Sequence, residues 1–222
     1  MKFTDVELRI LKRMSTINES MAFRKGSQIW TNTNPLKVFM SMNLETPIDT
    51  EFDVVNLAKF IQVISIMGDD YQIRTEDDDR NIYITDLANT AQVVKGDPIF
   101  TKIISKSIDI PTPDVSFDMD KETFSKIKRA IQIIEGKQIY LRNTGILIKD
   151  GERSEKSKFI IKKPLSSTEF EVPFEADVFS NLMDAGYKVT VQFRTSDRPA
   201  LVKFEEIESS KFYYLLPESS IS

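Results

Sequence analysis

The 222-residue sequence contains no histidine and no cysteine. Without imidazole or thiol, the chain supplies no histidine general base, no thiolate nucleophile and no Cys/His zinc site. Disulfides are excluded too, and the lack of cysteine fits a reducing compartment. Long apolar runs are also missing. The longest, Phe60 to Met67, is interrupted by Gln62 and Ser65 and falls far short of the roughly 20 residues of a membrane span. Met1 to Ser15 alternates charged and apolar residues and lacks the apolar centre of a signal peptide. A cytoplasmic protein that avoids membranes is expected. Positive charge is not in excess either: the net charge of −4 argues against a simple nucleic-acid binder. An enzyme built from this sequence is left with carboxylates and a hard metal, a Ser/Lys pair or a borrowed cofactor; no cofactor or metal is expected.

What is present suits a packed core. Hydrophobic residues make up 41% of the chain and charged residues 29%, as in ordinary globular proteins. The length suffices for one large domain or two of roughly 110 residues. A weak internal repeat favours two. Leu11-Lys12-Arg13 is matched 116 residues later by Ile127-Lys128-Arg129. Phe52-Asp53-Val54 precedes a helical run and Tyr71, as Phe170-Glu171-Val172 precedes another and Tyr187.

In the first half the spacing predicts a helix over Thr4 to Ser15 and strands near Ser20 to Arg24, Gln28 to Thr31, Lys37 to Asn43 and Phe52 to Val55. A helix over Asn56 to Met67 follows, with Leu57, Phe60, Ile61, Ile64 and Met67 along one stripe. Strands at Tyr71 to Thr75, Asn81 to Thr85 and Ala91 to Lys95 complete the half. The second half predicts helices over Lys121 to Ile134 and Ala176 to Ala185. Its strands are Lys137 to Arg142, Ile146 to Lys149, Glu169 to Phe174, Tyr187 to Arg194, Ala200 to Glu205 and Lys211 to Leu216. Between the halves, Gly96 to Asp114 carries Pro98, Pro111 and Pro113 and reads as a connector.

Charge is unevenly distributed. Lys2, Arg9, Lys12 and Arg13 against Asp5 and Glu7 give the first helical segment +2, and Lys121, Lys126, Lys128 and Arg129 against Glu122 give Lys121 to Ile134 +3. Removing these five positive charges from the total of −4 leaves −9 elsewhere. On a helical wheel Phe124, Ile127, Ala130, Ile131 and Ile134 share one face, so the basic residues point to solvent. The plain explanation is a solvated helix face; the alternative is a surface that meets nucleic-acid phosphates without reading bases. Asn56 to Met67 carries only Lys59, and Ala176 to Ala185 carries Asp177 and Asp184, so any basic surface is uneven.

Met14-Ser15-Thr16-Ile17-Asn18, Lys25-Gly26, Ile29, Phe52-Asp53-Val54, Leu57, Phe60, Ile64-Ser65 and Asp69-Asp70 together resemble the DNA polymerase sliding clamps of T-even-type bacteriophages. The match is best over roughly the first 90 residues and continues in the order of elements and in Val202-Lys203-Phe204-Glu205. The resemblance implies an α+β fold with two similar domains of the DNA clamp fold per subunit, residues 1–97 and 115–222, joined by a connector over 98–114. It implies helices on the inner face of curved antiparallel sheets and a homotrimeric ring around duplex DNA. By position, Lys2, Arg9, Lys12, Arg13, Lys121, Lys126, Lys128 and Arg129 would face the DNA backbone non-specifically. A partner-peptide groove would involve Ile103, Ile104, Ile108 and Ile110 with Leu215, Leu216 and Pro217. The implied partners are the DNA polymerase and an ATP-dependent clamp loader, in the cytoplasm of an infected bacterial cell.

Two other readings compete. Glu76, Asp77, Asp78 and Asp79 would serve a magnesium-dependent nuclease, but consecutive acids in a turn diverge and read as a solvated loop. An adaptor binding only proteins through its sheets shares every compositional feature with a clamp.

Overall fold

The computed structural model describes residues 1–75, 79–98, 112–150, 157–196, 199–209 and 211–218. The chain divides into two compact units, Met1–Asn34 with Met40–Ser107 and Pro35–Phe39 with Ile108–Ser222.

The first unit begins with α1 (Asp5–Ile17). Its start is fixed by a capping box: the Thr4 hydroxyl accepts from Glu7 N at 3.3 Å, and Thr4 N donates to Glu7 Oε2 at 2.7 Å. Glu7 is buried because its other oxygen accepts from Glu45 N at 2.7 Å, tying the first helical turn to a strand. Ile10, Leu11, Met14 and Ile17 form the apolar stripe, and Asn18 ends the helix in an extended conformation. Next come β1 (Met21–Phe23), β2 (Gly26–Asn32), β3 (Phe39–Ile48), β4 (Phe52–Val54), α2 (Leu57–Ser65), β5 (Gln72–Thr75), β6 (Asn81–Thr85) and β7 (Thr90–Val94). Antiparallel pairing joins β1 to β4 with Phe23 opposite Phe52, and joins β5, β6 and β7 in sequence. Asn56 caps α2 by accepting from Lys59 N at 2.8 Å, and Leu57, Phe60 and Ile64 turn inward. Phe3, Phe23, Phe52 and Phe60 cluster where the helices meet the sheet, with neighbouring ring centroids 4.6–6.2 Å apart.

In the second unit β8 (Val115–Met119) precedes α3 (Lys121–Ile134), β9 (Gln138–Arg142), β10 (Gly145–Lys149), β11 (Lys158–Ile161) and β12 (Glu171–Glu175). A 3-10 helix (Ala176–Asn181) and β13 (Tyr187–Gln192), β14 (Leu201–Glu206) and β15 (Phe212–Pro217) follow. One sheet runs β11-β10-β9-β12; β8, β13, β14 and β15 lie side by side in another. Thr123, Phe124, Ile127 and Ala130 of α3 are buried, with Phe124 against Phe179 and Tyr187 at centroid separations of 6.0 and 5.2 Å.

The succession helix, four strands, helix, three strands occurs in both units, with β8 added ahead of the second. In both, the fourth strand of the succession pairs with the first, β4 with β1 and β12 with β9. The segment expected as a helix over Ala176 to Ala185 is instead a single 3-10 stretch that ends at Asn181. Ser180 competes for backbone hydrogen bonds there, its hydroxyl donating to Asp177 O at 2.5 Å, and no side chain caps the start.

Candidate nucleic-acid interface

On α1, Arg9, Lys12 and Arg13 follow the i, i+3, i+4 spacing of one helix face. That face lies opposite the buried stripe of Ile10, Leu11 and Met14; Arg9 and Lys12 are exposed and Arg13 is half-buried. Lys2 lies ahead of the helix, its ammonium donating to the Asp69 carbonyl in the loop after α2 and lying 5.8 Å from the Tyr71 ring centroid. Tyr71 in turn donates to Phe3 O at 2.9 Å and accepts from Phe3 N at 3.0 Å. Burial raises the Tyr71 phenol pKa, so it stays protonated. Lys2 is thus a staple between the start of α1 and the end of α2 as well as a surface charge.

On α3 the four expected basic residues behave differently from one another. Lys121 and Arg129 are exposed, and no ion pair among the described residues includes them. Lys126 pairs with Glu122 one turn earlier at 2.7 Å, and that hydrogen bond raises its pKa above the ordinary lysine value. Lys128 departs from the expectation that it points to solvent. Its Nζ donates to Leu182 O at 2.9 Å, lies 3.2 Å from Asp184 Oδ1 and sits 5.5 Å from the Phe124 ring centroid. The cause is the short 3-10 helix: because it stops at Asn181, the Leu182 carbonyl and the Asp184 carboxylate fall beside α3. Asp177, the other acid of this segment, is exposed.

Asp120 secures the start of α3. Its carboxylate accepts from Lys163 Nζ at 2.6 Å and from Thr123 N at 2.6 Å, and these bonds hold its pKa well below the usual carboxylate range. Lys163 is a contributor that the sequence reading overlooked. It lies in the loop after β11, and no spacing along the chain connects it to α3.

For the expected peptide groove, Ile103, Ile104, Ile108 and Ile110 lie outside the described residues. Leu215 and Leu216 are 0% exposed. The two are adjacent in β15 and so point to opposite faces of its sheet; Pro217, at the strand end, is partly exposed. Of the acidic turn, Glu76, Asp77 and Asp78 lie outside the described residues. Asp79 accepts from Asn81 N at 2.9 Å and holds the turn into β6. Among the described residues no group of three or more carboxylates is placed to hold a metal ion, and no helix is long and apolar enough to cross a membrane.

No protein-family model matches the sequence. Among curated proteins, the chain is similar to the sliding clamp of Vibrio phage KVP40, 24% identical over 206 residues that cover 86% of this chain and 90% of that protein. It is also 25% identical over 136 residues to the sliding clamp of Enterobacteria phage T4, covering 60% of this chain and 59% of that protein. The sliding clamp of Escherichia phage RB69 gives the same identity and coverage. The aligned region thus spans about three-fifths of the T4 and RB69 proteins and nine-tenths of the KVP40 protein. The resemblance to T-even-type phage clamps read from the sequence is borne out by all three.

Proposed function

We propose that this chain, similar along most of its length to phage sliding clamps, is itself a sliding clamp that encircles duplex DNA and tethers the replicative DNA polymerase. The observation that carries the reading is the similarity to the KVP40 clamp over 86% of the chain. The repeated succession of elements agrees with it, since a ring of similar units needs each unit to present the same faces. So does the position of Arg9, Lys12 and Arg13 on α1 and of Lys121, Lys126 and Arg129 on α3.

A clamp needs no chemistry of its own. Once the ring is closed, topology blocks escape from the duplex, so individual phosphate contacts remain weak and exchange as the ring moves. A chain without histidine or cysteine suits that work. In this reading the polymerase and an ATP-dependent clamp loader are protein partners, and the loader supplies the only nucleotide chemistry by opening one interface.

Three copies form the ring, joined head to tail. Two strands at sheet margins favour such a contact: β7, where Val94 is 70% exposed, and β11, where Phe159 and Ile160 are 42% and 51% exposed. Pairing β7 of one copy with β11 of the next buries apolar side chains and satisfies strand edges that otherwise invite aggregation. Such a heterologous contact closes when the rotation per copy is one third of a turn.

The test combines mass with topology. Light scattering over a range of concentrations is expected to give a species of three times 25.5 kDa that dissociates on dilution. Protein loaded on nicked circular duplex is expected to co-elute with the DNA and to be lost when the circle is cut once. A monomer at every concentration, or equal retention on circular and cut DNA, rejects the ring and favours the adaptor reading.

A further inference from the structure

The recess between α3 and the 3-10 helix has a volume of about 410 Å³ and is lined by Ser125, Lys128, Arg129, Gln132, Ser180 and Asp184 among others. Two of these side chains carry opposite charge and already meet. The Lys128 side chain is 23% exposed and its partner Asp184 61% exposed, so the lysine is the less accessible member of the pair. The Leu182 carbonyl, 2.9 Å from Nζ, closes a second side, and the Phe124 ring centroid lies 5.5 Å from Nζ. At the matching position of the first unit Lys12 is exposed, and no ion pair among the described residues includes it.

We propose that Asp184 holds Lys128 away from the DNA backbone, so that the loop after the 3-10 helix sets how lightly the second unit touches the duplex. The inference rests on the clamp reading. A cation already bonded to a carboxylate and a carbonyl gives up both bonds to reach a phosphate, whereas an exposed lysine gives up only water. That cost weakens the grip of α3 relative to α1. For a body that slides, each contact must break at every step, so a withheld lysine favours movement over residence.

The experiment uses the full chain and a short fluorescein-labelled duplex, titrated by anisotropy between roughly 50 and 200 mM salt. Four proteins are compared: the unaltered chain, Asp184→Asn, Lys128→Met and the double variant. Asp184→Asn keeps the shape of the side chain; Lys128→Met keeps an unbranched apolar side chain and removes the charge. Asp184→Asn is expected to bind several-fold more tightly at the low-salt end and to steepen the dependence of log K on log salt by about 0.9 per newly engaged phosphate. Lys128→Met is expected to match the unaltered chain within about twofold, and in its background Asp184→Asn is expected to have no effect.

A gain that persists in the Lys128→Met background overturns the proposal, because it reports only the loss of a negative charge. A loss of binding in Lys128→Met overturns it as well, because Lys128 then touches DNA already. Lys12→Gln combined with Arg129→Gln separates the two levels of inference. If that pair weakens binding while the Asp184 cycle is flat, only the role of Asp184 falls; if the pair leaves binding unchanged, the clamp reading falls with it.

Discussion

The two units repeat one succession of elements and yet finish it with different polar chemistry. In the first unit α2 is a nine-residue helix capped by Asn56; in the second, the corresponding element is a six-residue 3-10 stretch without a side-chain cap. Each unit ties its first helix to the loop after its second by a lysine donating to a carbonyl, Lys2 to Asp69 and Lys128 to Leu182. The first unit uses a residue ahead of its helix for this, leaving Lys12 exposed, whereas the second uses the residue that matches Lys12. Apolar pattern and strand order thus specify the shared architecture. Which charges remain at the surface depends on where the second helix stops.

The largest effects are expected where the units agree. Phe60 on α2 and Phe124 on α3 are both 0% exposed and both sit in aromatic clusters. Truncation of either to alanine is expected to cost about 3–5 kcal/mol, measured by urea denaturation. Similar losses would support equivalent packing of the two cores. A markedly smaller loss for one would break the comparison, by showing that its surroundings collapse into the cavity.

Glycine at the start of the second strand after each first helix sharpens the contrast. Gly26 (φ 120°) and Gly145 (φ 144°) both lie where a side chain is strained. A Cβ on Gly26 would meet nothing within 4 Å, while one on Gly145 would lie 2.1 Å from the Ile161 carbonyl oxygen. Gly26→Ala is therefore expected to cost about 1 kcal/mol from backbone strain, and Gly145→Ala about 2–4 kcal/mol because β11 must also move. Hydrogen exchange should localise the second effect to the β10–β11 pairing, at Ile146 to Lys149 and Lys158 to Ile161. Equal costs would remove the steric distinction.

Much of this architecture was legible in the sequence because it rests on period. In α3, which runs from Lys121 to Ile134 as expected, Phe124, Ile127 and Ala130 of the expected stripe are buried and Ile131 and Ile134 half-buried, and in α1 Ile10, Leu11 and Met14 are buried. Asn81 to Thr85 likewise forms β6 with Ile82 and Ile84 inward. Two strands escaped notice. In β11 the apolar Phe159 and Ile160 are adjacent and both exposed, so no alternation marks the strand. In β8, Val115, Phe117 and Met119 do alternate with Ser116 and Asp118, but these five residues between the connector and α3 were assigned no element. The basic residues were visible as charges, but their partners were not. Lys128 finds a carbonyl 54 residues away, and Lys163 finds Asp120 43 residues back. Such pairs depend on where loops end in space, which periodicity does not encode.

The smallest predicted effect concerns the two helix starts and depends on pH. Thr4 caps α1 with a hydroxyl that does not titrate in this range, whereas Asp120 caps α3 with a carboxylate bonded to Lys163 and Thr123. Its pKa is lowered in the folded chain, so folding favours the ionised form. The associated stability is fully present above the unfolded value of about 3.9 and is lost as pH falls through the depressed folded value. Because the Asp120 side chain is 57% exposed, solvent screening keeps the contribution below about 1 kcal/mol. Asp120→Asn preserves a capping oxygen and removes the charge. The variant is expected to be slightly less stable than the unaltered chain at pH 7, with the gap closing progressively below about pH 4. Thr4→Ser in the first unit is expected to give a difference that does not change over the same range. Denaturant titrations from pH 7 to pH 2 measure both, and a constant gap for Asp120→Asn would show that Asp120 acts through cap geometry alone, as Thr4 does.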